Sequence, residues 1–181
     1  MIYNSEFLQT EAAVAQHVAK GLAFEETLNP KERNVAKVVI IRADGTVEAP
    51  IYGWNARVDS GANQQAVLMG SAAGTPFKYL ALSTTSLTIA KGDTTLSGEI
   101  TTNGLGRVAA TYGSYVAPST LGGSASFQLT NTFTASGTST VNSCALFDAI
   151  SVGHMFSEIN LSSAATLNSG DTLVLTYTIN L

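Results

Sequence analysis

Charged residues are scarce in this chain. They make up 12% of its 181 residues, about half the share of roughly 25% that average soluble proteins carry. From Thr101 to Leu181 the charged residues are only Arg107, Asp148, Glu158 and Asp171, whereas serine and threonine recur throughout. Such a segment has few groups that can move a proton, hold a metal or act as a nucleophile. We therefore expect a structural protein rather than an enzyme, with no cofactor and no metal site.

Basic residues are also few, and the net charge is −4. Phosphate binding requires clustered lysines and arginines. The densest group here is Lys31, Arg33 and Lys37, which Glu32 interrupts. The sequence therefore argues against nucleic acid as a partner. No stretch reaches the roughly 18 apolar residues of a membrane span, so we expect no membrane partner either.

The sequence has a single cysteine, and its first residues lack the features of an export signal. Cys144 is the only cysteine, which excludes an intrachain disulfide and a cysteine zinc site. It lies in the apolar run CALF, so a buried, inert thiol is predicted. Met1 leads directly into IYNSEF without the basic and long apolar regions of a signal peptide. We expect a protein that is made and used in a reducing cytoplasm, or that leaves the cell by lysis rather than by secretion.

The first 36 residues differ in character from the rest, because 14 of the 22 charged residues precede Ser60. Ser5 can cap a helix over residues 6–20, and Asn29-Pro30 breaks the chain after it. Apolar residues recur there at helical spacing. Those predicted to anchor a partner are Phe7, Leu8, Val14 and Val18. We predict an N-terminal helical arm over residues 1–36, whose apolar stripe could equally cover the protein's own β domain.

Residues 37–181 predict a β-sandwich. A hairpin over 37–53 turns at Asp44-Gly45, and a short helix follows over 61–70 with Ala62, Ala66, Val67 and Met69 on one side. The main sandwich spans 77–181, with strands predicted over 77–83, 106–112, 125–135, 138–147, 155–161 and 172–181. A slip in alternation suggests a bulge near Asn131. Seven to nine short strands fit a jelly roll as well as an immunoglobulin-like sandwich.

Candidate catalytic motifs favour structural interpretations. Gly104-Leu105-Gly106 begins a G-x-G-x-x-A pattern, but a β-like run follows it, so turn glycines are predicted rather than a dinucleotide site. His17 and His154 lie in different segments without a second ligand at metal spacing. Asp148 and Glu158 could form the carboxylate pair of a glycosidase. The favoured interpretation places one of these acids in a turn and the other on a solvent face.

The aromatic residues of the predicted strands are expected in the core, since they are spread one or two to a strand without forming a sugar-stacking cluster. They are Tyr79, Tyr112, Tyr115, Phe127, Phe133, Phe147, Phe156 and Tyr177.

The order of these segments resembles small virion proteins of tailed bacteriophages that decorate or cement the capsid. The resemblance covers residues 38–181 and rests on Gly104–Tyr112, on the strand pair TFTA…V…ALF and on the closing SGDTLVLTYTI. It implies a β-sandwich on the capsid surface of a virion assembled in the host cytoplasm. The implied partners are the major capsid protein and further copies of the chain in a homotrimer.

Two alternatives stay open. Related modules occur in phage tails and fibres, so the chain could be a tail, fibre or baseplate module that contacts a host receptor or glycan. An enzyme with a jelly-roll core, using Asp148 and Glu158, is the third hypothesis.

Overall fold

The structure is a computed structural model, and it describes residues 34–71, 73–113, 115–118 and 125–180. The predicted helix over 6–20 and the linker that follows it lie outside these residues. The division between an arm and a sandwich near residue 36 therefore stays a prediction.

Nine strands and one helix are found among the described residues. In chain order they are β1 Val35–Ile41, β2 Ile51–Arg57, α1 Asp59–Gly70, β3 Tyr79–Ser83, β4 Val108–Ala109, β5 Thr111–Tyr112, β6 Ser126–Thr134, β7 Ser139–Phe147, β8 Met155–Leu167 and β9 Thr172–Asn180. The mainly β prediction is confirmed.

Alternation along the chain determines which side of each strand is buried. In β9 the side chains of Leu173, Leu175, Tyr177 and Ile179 are at most 2% exposed, whereas the residues between them are partly exposed. Successive side chains of a strand point to opposite faces of the sheet. The predicted inward face of this segment is therefore confirmed for its described residues.

The predicted hairpin forms between β1 and β2, which pair antiparallel with Val35 opposite Trp54. Its turn is at Asp44-Gly45, where the Arg42 N–H donates to the Thr46 carbonyl at 2.8 Å. Gly45 has a φ of +87°, a left-handed conformation that glycine adopts without steric cost.

The strands form two antiparallel sheets that share β2. Sheet A has the order β2–β1–β9–β6–β5, and sheet B has the order β2–β8–β7–β3–β4. β2 belongs to both because residues 51–54 pair with β1 and residues 55–57 pair with β8. The predicted sandwich is confirmed.

The main core lies between the two sheets and combines side chains such as Val38 and Leu173 of sheet A with Leu82 and Ile159 of sheet B. Each fully buried aliphatic side chain contributes about 1.5–3 kcal/mol to folding. A second, smaller apolar cluster lies on the outer side of sheet B, where Leu96 packs with side chains of β3, β7 and β8.

The start of β1 and the end of β9 lie next to each other. Asn34 Oδ1 accepts a hydrogen bond from the Asn180 N–H at 2.7 Å, and Val35 is opposite Thr178 in the sheet. The described part of the chain therefore enters and leaves sheet A at the same end.

Three local predictions are wrong. β6 pairs with β9 from Ser126 to Thr134 without a register shift, so Asn131 is not at a bulge and simply occupies an inward position. Helix α1 does not bury its predicted apolar side, since Met69 is 83% exposed while Gly61 and Gln64 are buried. The segment 106–112 forms two short strands, because β4 pairs with β3 of sheet B and β5 with β6 of sheet A.

Candidate binding surface

The predicted partner-binding residues all precede Asn34. Phe7, Leu8, Val14 and Val18 therefore lie outside the described residues, as does His17. Their role as an anchor stays a prediction.

The two acids considered as a catalytic pair take separate partners. Asp148 lies in the turn after β7, where its Oδ1 accepts the His154 backbone N–H at 2.7 Å and its Oδ2 lies 2.7 Å from His154 Nδ1. These bonds close the turn between β7 and β8. Glu158 instead faces Asp93, so the geometry does not form a general acid and base flanking one bond.

The predicted solvent-facing position of Glu158 is wrong, because this residue is only 2% exposed. It lies on the outer side of sheet B opposite Ala145, underneath the segment 84–98. Burial, followed by the hydrogen bond and negative charge of Asp93, raises the pKa of the Glu158 carboxyl to about 7. Its Oε1 is buried without a hydrogen-bond partner among the described residues. The protonated form is therefore favoured in the fold.

The glycine motif forms a turn, as predicted. Asn103 and Gly104 have φ values of 55° and 72°, and the two-residue strand β4 follows rather than a helix. The backbone N–H groups of a helix N-terminus, which receive a pyrophosphate in dinucleotide sites, are not present at this position.

Cys144 is fully buried between the sheets, as predicted. Burial raises the pKa of its thiol to about 12. Because the thiolate is the reactive form of cysteine, this side chain is inert at neutral pH.

Within the ranges that the structure describes, no three histidine, cysteine or acidic side chains are grouped so that they could hold a metal ion. In those same ranges, no helix has the length and hydropathy needed to cross a membrane.

The exposed aromatic residues differ from those expected. Tyr112 and Tyr115, predicted in the core, are 59% and 67% exposed, because they lie at and beyond the short edge strand β5. Trp54 and Tyr52 of β2 are 55% and 40% exposed, and sequence reasoning missed both. The available signal was Gly53: a Cβ there would collide with the Asn160 carbonyl and the Ile159 side chain of β8. A glycine inside a strand marks such a close approach, and it turns its two aromatic neighbours outward.

Trp54 and Tyr52 lie at one side of what we call the outer face of sheet A. This face consists of the outward-pointing residues of its strands, which are Val35, Lys37, Val39, Ile41, Tyr52, Trp54, Thr111, Ser126, Gln128, Thr130, Thr132, Thr134, Thr172, Val174, Thr176, Thr178 and Asn180. The face thus has an aromatic margin on β2, aliphatic residues such as Val39 on β1 and Val174 on β9, and rows of hydroxyl and amide groups on β9, β6 and β5.

The polar rows are connected laterally across strands. Thr130 Oγ1 lies 3.4 Å from Thr176 Oγ1, and Gln128 Nε2 donates to Thr178 Oγ1 at 3.3 Å. Lys37 is exposed between Tyr52 on β2 and Thr176 on β9. The chemistry available on this face is stacking, hydrogen bonding and one positive charge.

Comparison with known proteins gives one family. No curated protein and no solved structure matches the chain. Residues 56–179 match the family model described as podophage GP4 fiber I protein gp80. This match supports the fibre alternative better than it supports capsid decoration. Because it covers more than two thirds of the chain, the protein belongs to the gp80 fiber I family of podophages and is a structural protein of a phage virion.

Proposed function

We propose that this protein is a fibre module that attaches the virion to the surface of the host cell, without making or breaking covalent bonds. The observation that supports it most is the pairing of a fibre-family match with an exposed tryptophan on a hydroxyl-rich sheet face. Contiguous exposed apolar patches mark interaction sites, and tryptophan and tyrosine are enriched among the residues that contribute most to binding.

Repetition would strengthen such a contact. We propose that the protein works as an oligomer, for which the resemblance implies a homotrimer. Linking several weak sites raises the effective concentration of each, so avidity can exceed the single-site affinity by a factor of about 10²–10⁴. Sedimentation of the full chain would measure the number of copies.

Adsorption to cells tests the function. The purified full-length protein, added in excess to the host bacterium, should bind the cells and slow adsorption of the phage. Protein that is present in the virion but neither binds cells nor slows adsorption would contradict the proposal.

Copy number separates this proposal from capsid decoration. A fibre module should be present in a few dozen copies per particle or fewer, whereas a protein bound to the major capsid protein lattice should be present in hundreds. Quantitative mass spectrometry of purified virions gives the number.

A further inference from the structure

We propose that the outer face of sheet A binds an acidic polysaccharide, with Trp54 and Tyr52 stacking on sugar rings and Lys37 binding a sugar carboxylate. This inference rests on the proposed function and specifies the ligand class and the residues that bind it. The three residues named here precede the family match, which begins at Ala56, whereas most of the hydroxyl-bearing residues of the face lie within it.

The aromatic pair provides the stacking surface. Trp54 and Tyr52 are two positions apart on β2, so both side chains stand on the same side of the sheet, and both are exposed. The face of an aromatic ring carries partial negative charge, which attracts the C–H groups on the apolar side of a pyranose. Binding sites for small polar molecules combine such rings with a few placed polar groups.

The hydroxyl rows provide the hydrogen bonds. Each threonine hydroxyl can donate one hydrogen bond and accept two, so Thr130 and Thr176 retain capacity beyond their mutual contact. Adjacent strands are about 4.8 Å apart, so the three steps from Trp54 to Gln128 span roughly 14 Å. A chain of a few sugars fits across this distance.

The charge of the face selects among possible occupants. Lys37 is the one charged residue among the outward positions of the described sheet A strands, and no ion pair of the described residues includes it. A lone exposed cation between the hydroxyl-bearing residues Tyr52 and Thr176 complements a polyhydroxyl chain with spaced carboxylates. Nucleic acid would require several clustered cations, and the centre of a protein interface would be more apolar.

Binding to defined polysaccharides tests the proposal. The probes are polygalacturonate, alginate and hyaluronate as acidic chains and dextran as a neutral one. Trp54 is the only tryptophan of the chain, so its fluorescence reports binding at this face directly. We expect the wild-type signal to change with at least one acidic chain, and less with dextran.

Variants assign the residues, with affinity measured on immobilised polysaccharide. Trp54→Ala and Lys37→Gln should each weaken binding roughly tenfold. The matched controls are Tyr115→Ala, an exposed aromatic residue elsewhere, and Lys91→Gln, an exposed lysine in the segment over sheet B. Both controls should bind like the wild type, and circular dichroism should show all four variants folded.

Several outcomes would overturn the proposal. These are no binding to any acidic chain, unchanged binding by Trp54→Ala and Lys37→Gln, or equal binding to dextran. Loss of oligomers in Trp54→Ala would show instead that this face joins copies of the chain. If any of these results were found while the wild-type protein still bound host cells, the fibre function would stand and only the proposed binding site would be wrong.

Discussion

The guanidinium carbon of Arg107 lies 3.5 Å from the ring centre of Phe147, while its nitrogen atoms form two hydrogen bonds with the Glu99 carboxylate at 2.6 and 2.9 Å. Arg107 also donates to the carbonyl groups of Ala149 and Val152. One side chain therefore ties the long segment after β3 to the end of β7 and to the turn that follows it.

Replacing Arg107 should loosen this connection. We expect Arg107→Ala to lower the free energy of unfolding by about 2–4 kcal/mol, because it leaves Glu99 without its ionic partner in a largely buried site. Arg107→Lys should recover only part of the loss, since an ammonium group cannot form the planar two-bond contact. Urea unfolding of both variants, alone and with Glu99→Gln, measures the coupling. Equal stability of Arg107→Lys and wild type would argue against the contact.

Glu158 should make the protein less stable in mild alkali. Its pKa is raised from 4.5 to about 7 in the fold, so the stabilising protonated form is fully retained below about pH 4.5 and lost as the pH rises through 7. Glu158→Gln should therefore match the wild type near pH 4. At pH 8 the unfolding temperature of the variant should exceed that of the wild type, by roughly 2–4 °C for each kcal/mol gained in the free energy of unfolding. Parallel pH profiles of the two proteins would contradict this prediction.

The contribution of Asp171 to stability should depend on pH in the opposite direction. Its carboxylate accepts the Asn168 and Ala43 N–H groups and pairs with Arg42, and these contacts lower its pKa below 3.8. The resulting stability is present above the ordinary pKa and is lost as the pH falls through the lowered value. Asp171→Asn should unfold at a lower temperature than wild type at pH 6, and the difference should close in strong acid.

The matched control for this measurement is Asp59→Asn, because among the described residues the exposed Asp59 forms an ion pair only with Lys91, at 3.7 Å on the surface. Because Asp59 begins α1, where a carboxylate favours the helix dipole, this variant should lose at most about 1 kcal/mol, and less than Asp171→Asn loses. A similar loss in both variants would mean that net charge, rather than the contacts of Asp171, determines acid stability.

Two glycines of α1 should respond oppositely to the same substitution. A Cβ at Gly61 would collide with the backbone of Phe156 in β8, whereas nothing lies within 4 Å of one at Gly70. Gly61→Ala should therefore destabilise the fold by about 1–3 kcal/mol. Gly70→Ala should be neutral or stabilising by up to about 1 kcal/mol. Thermal unfolding compares them, and stabilisation by Gly61→Ala would show that helix propensity outweighs the collision.

Strand alternation predicted much of the fold, because a single buried side per strand leaves a period of two in the sequence. It succeeded for β9, whose inward residues are all large and apolar. It failed at Asn131, where a polar residue occupies an inward position while the pairing continues unchanged. In the helix α1 the apolar residues did not indicate the buried side, because α1 approaches β8 through Gly61 and not through large side chains such as Met69.

The candidate surface is harder to predict from the sequence than the fold is. Tyr52 and Trp54 alternate with Ile51 and Gly53, so hydrophobicity alone places the aromatic pair inside. Because β8 packs closely against Gly53, Gly53 faces inward and the aromatic pair faces outward. This packing joins residues about 100 positions apart in the sequence. The burial of Glu158 depends likewise on a segment, 84–98, whose sequence has no regular period.

The bond between Asn34 and Asn180 has a mechanical consequence. A pull applied through the start of β1 and the end of β9 would load their hydrogen bonds one after another, so the two strands would peel apart at low force. A pull applied through the outer face of sheet A would be distributed over several strands simultaneously. The sandwich should therefore withstand more tension through that face than through these two strand ends.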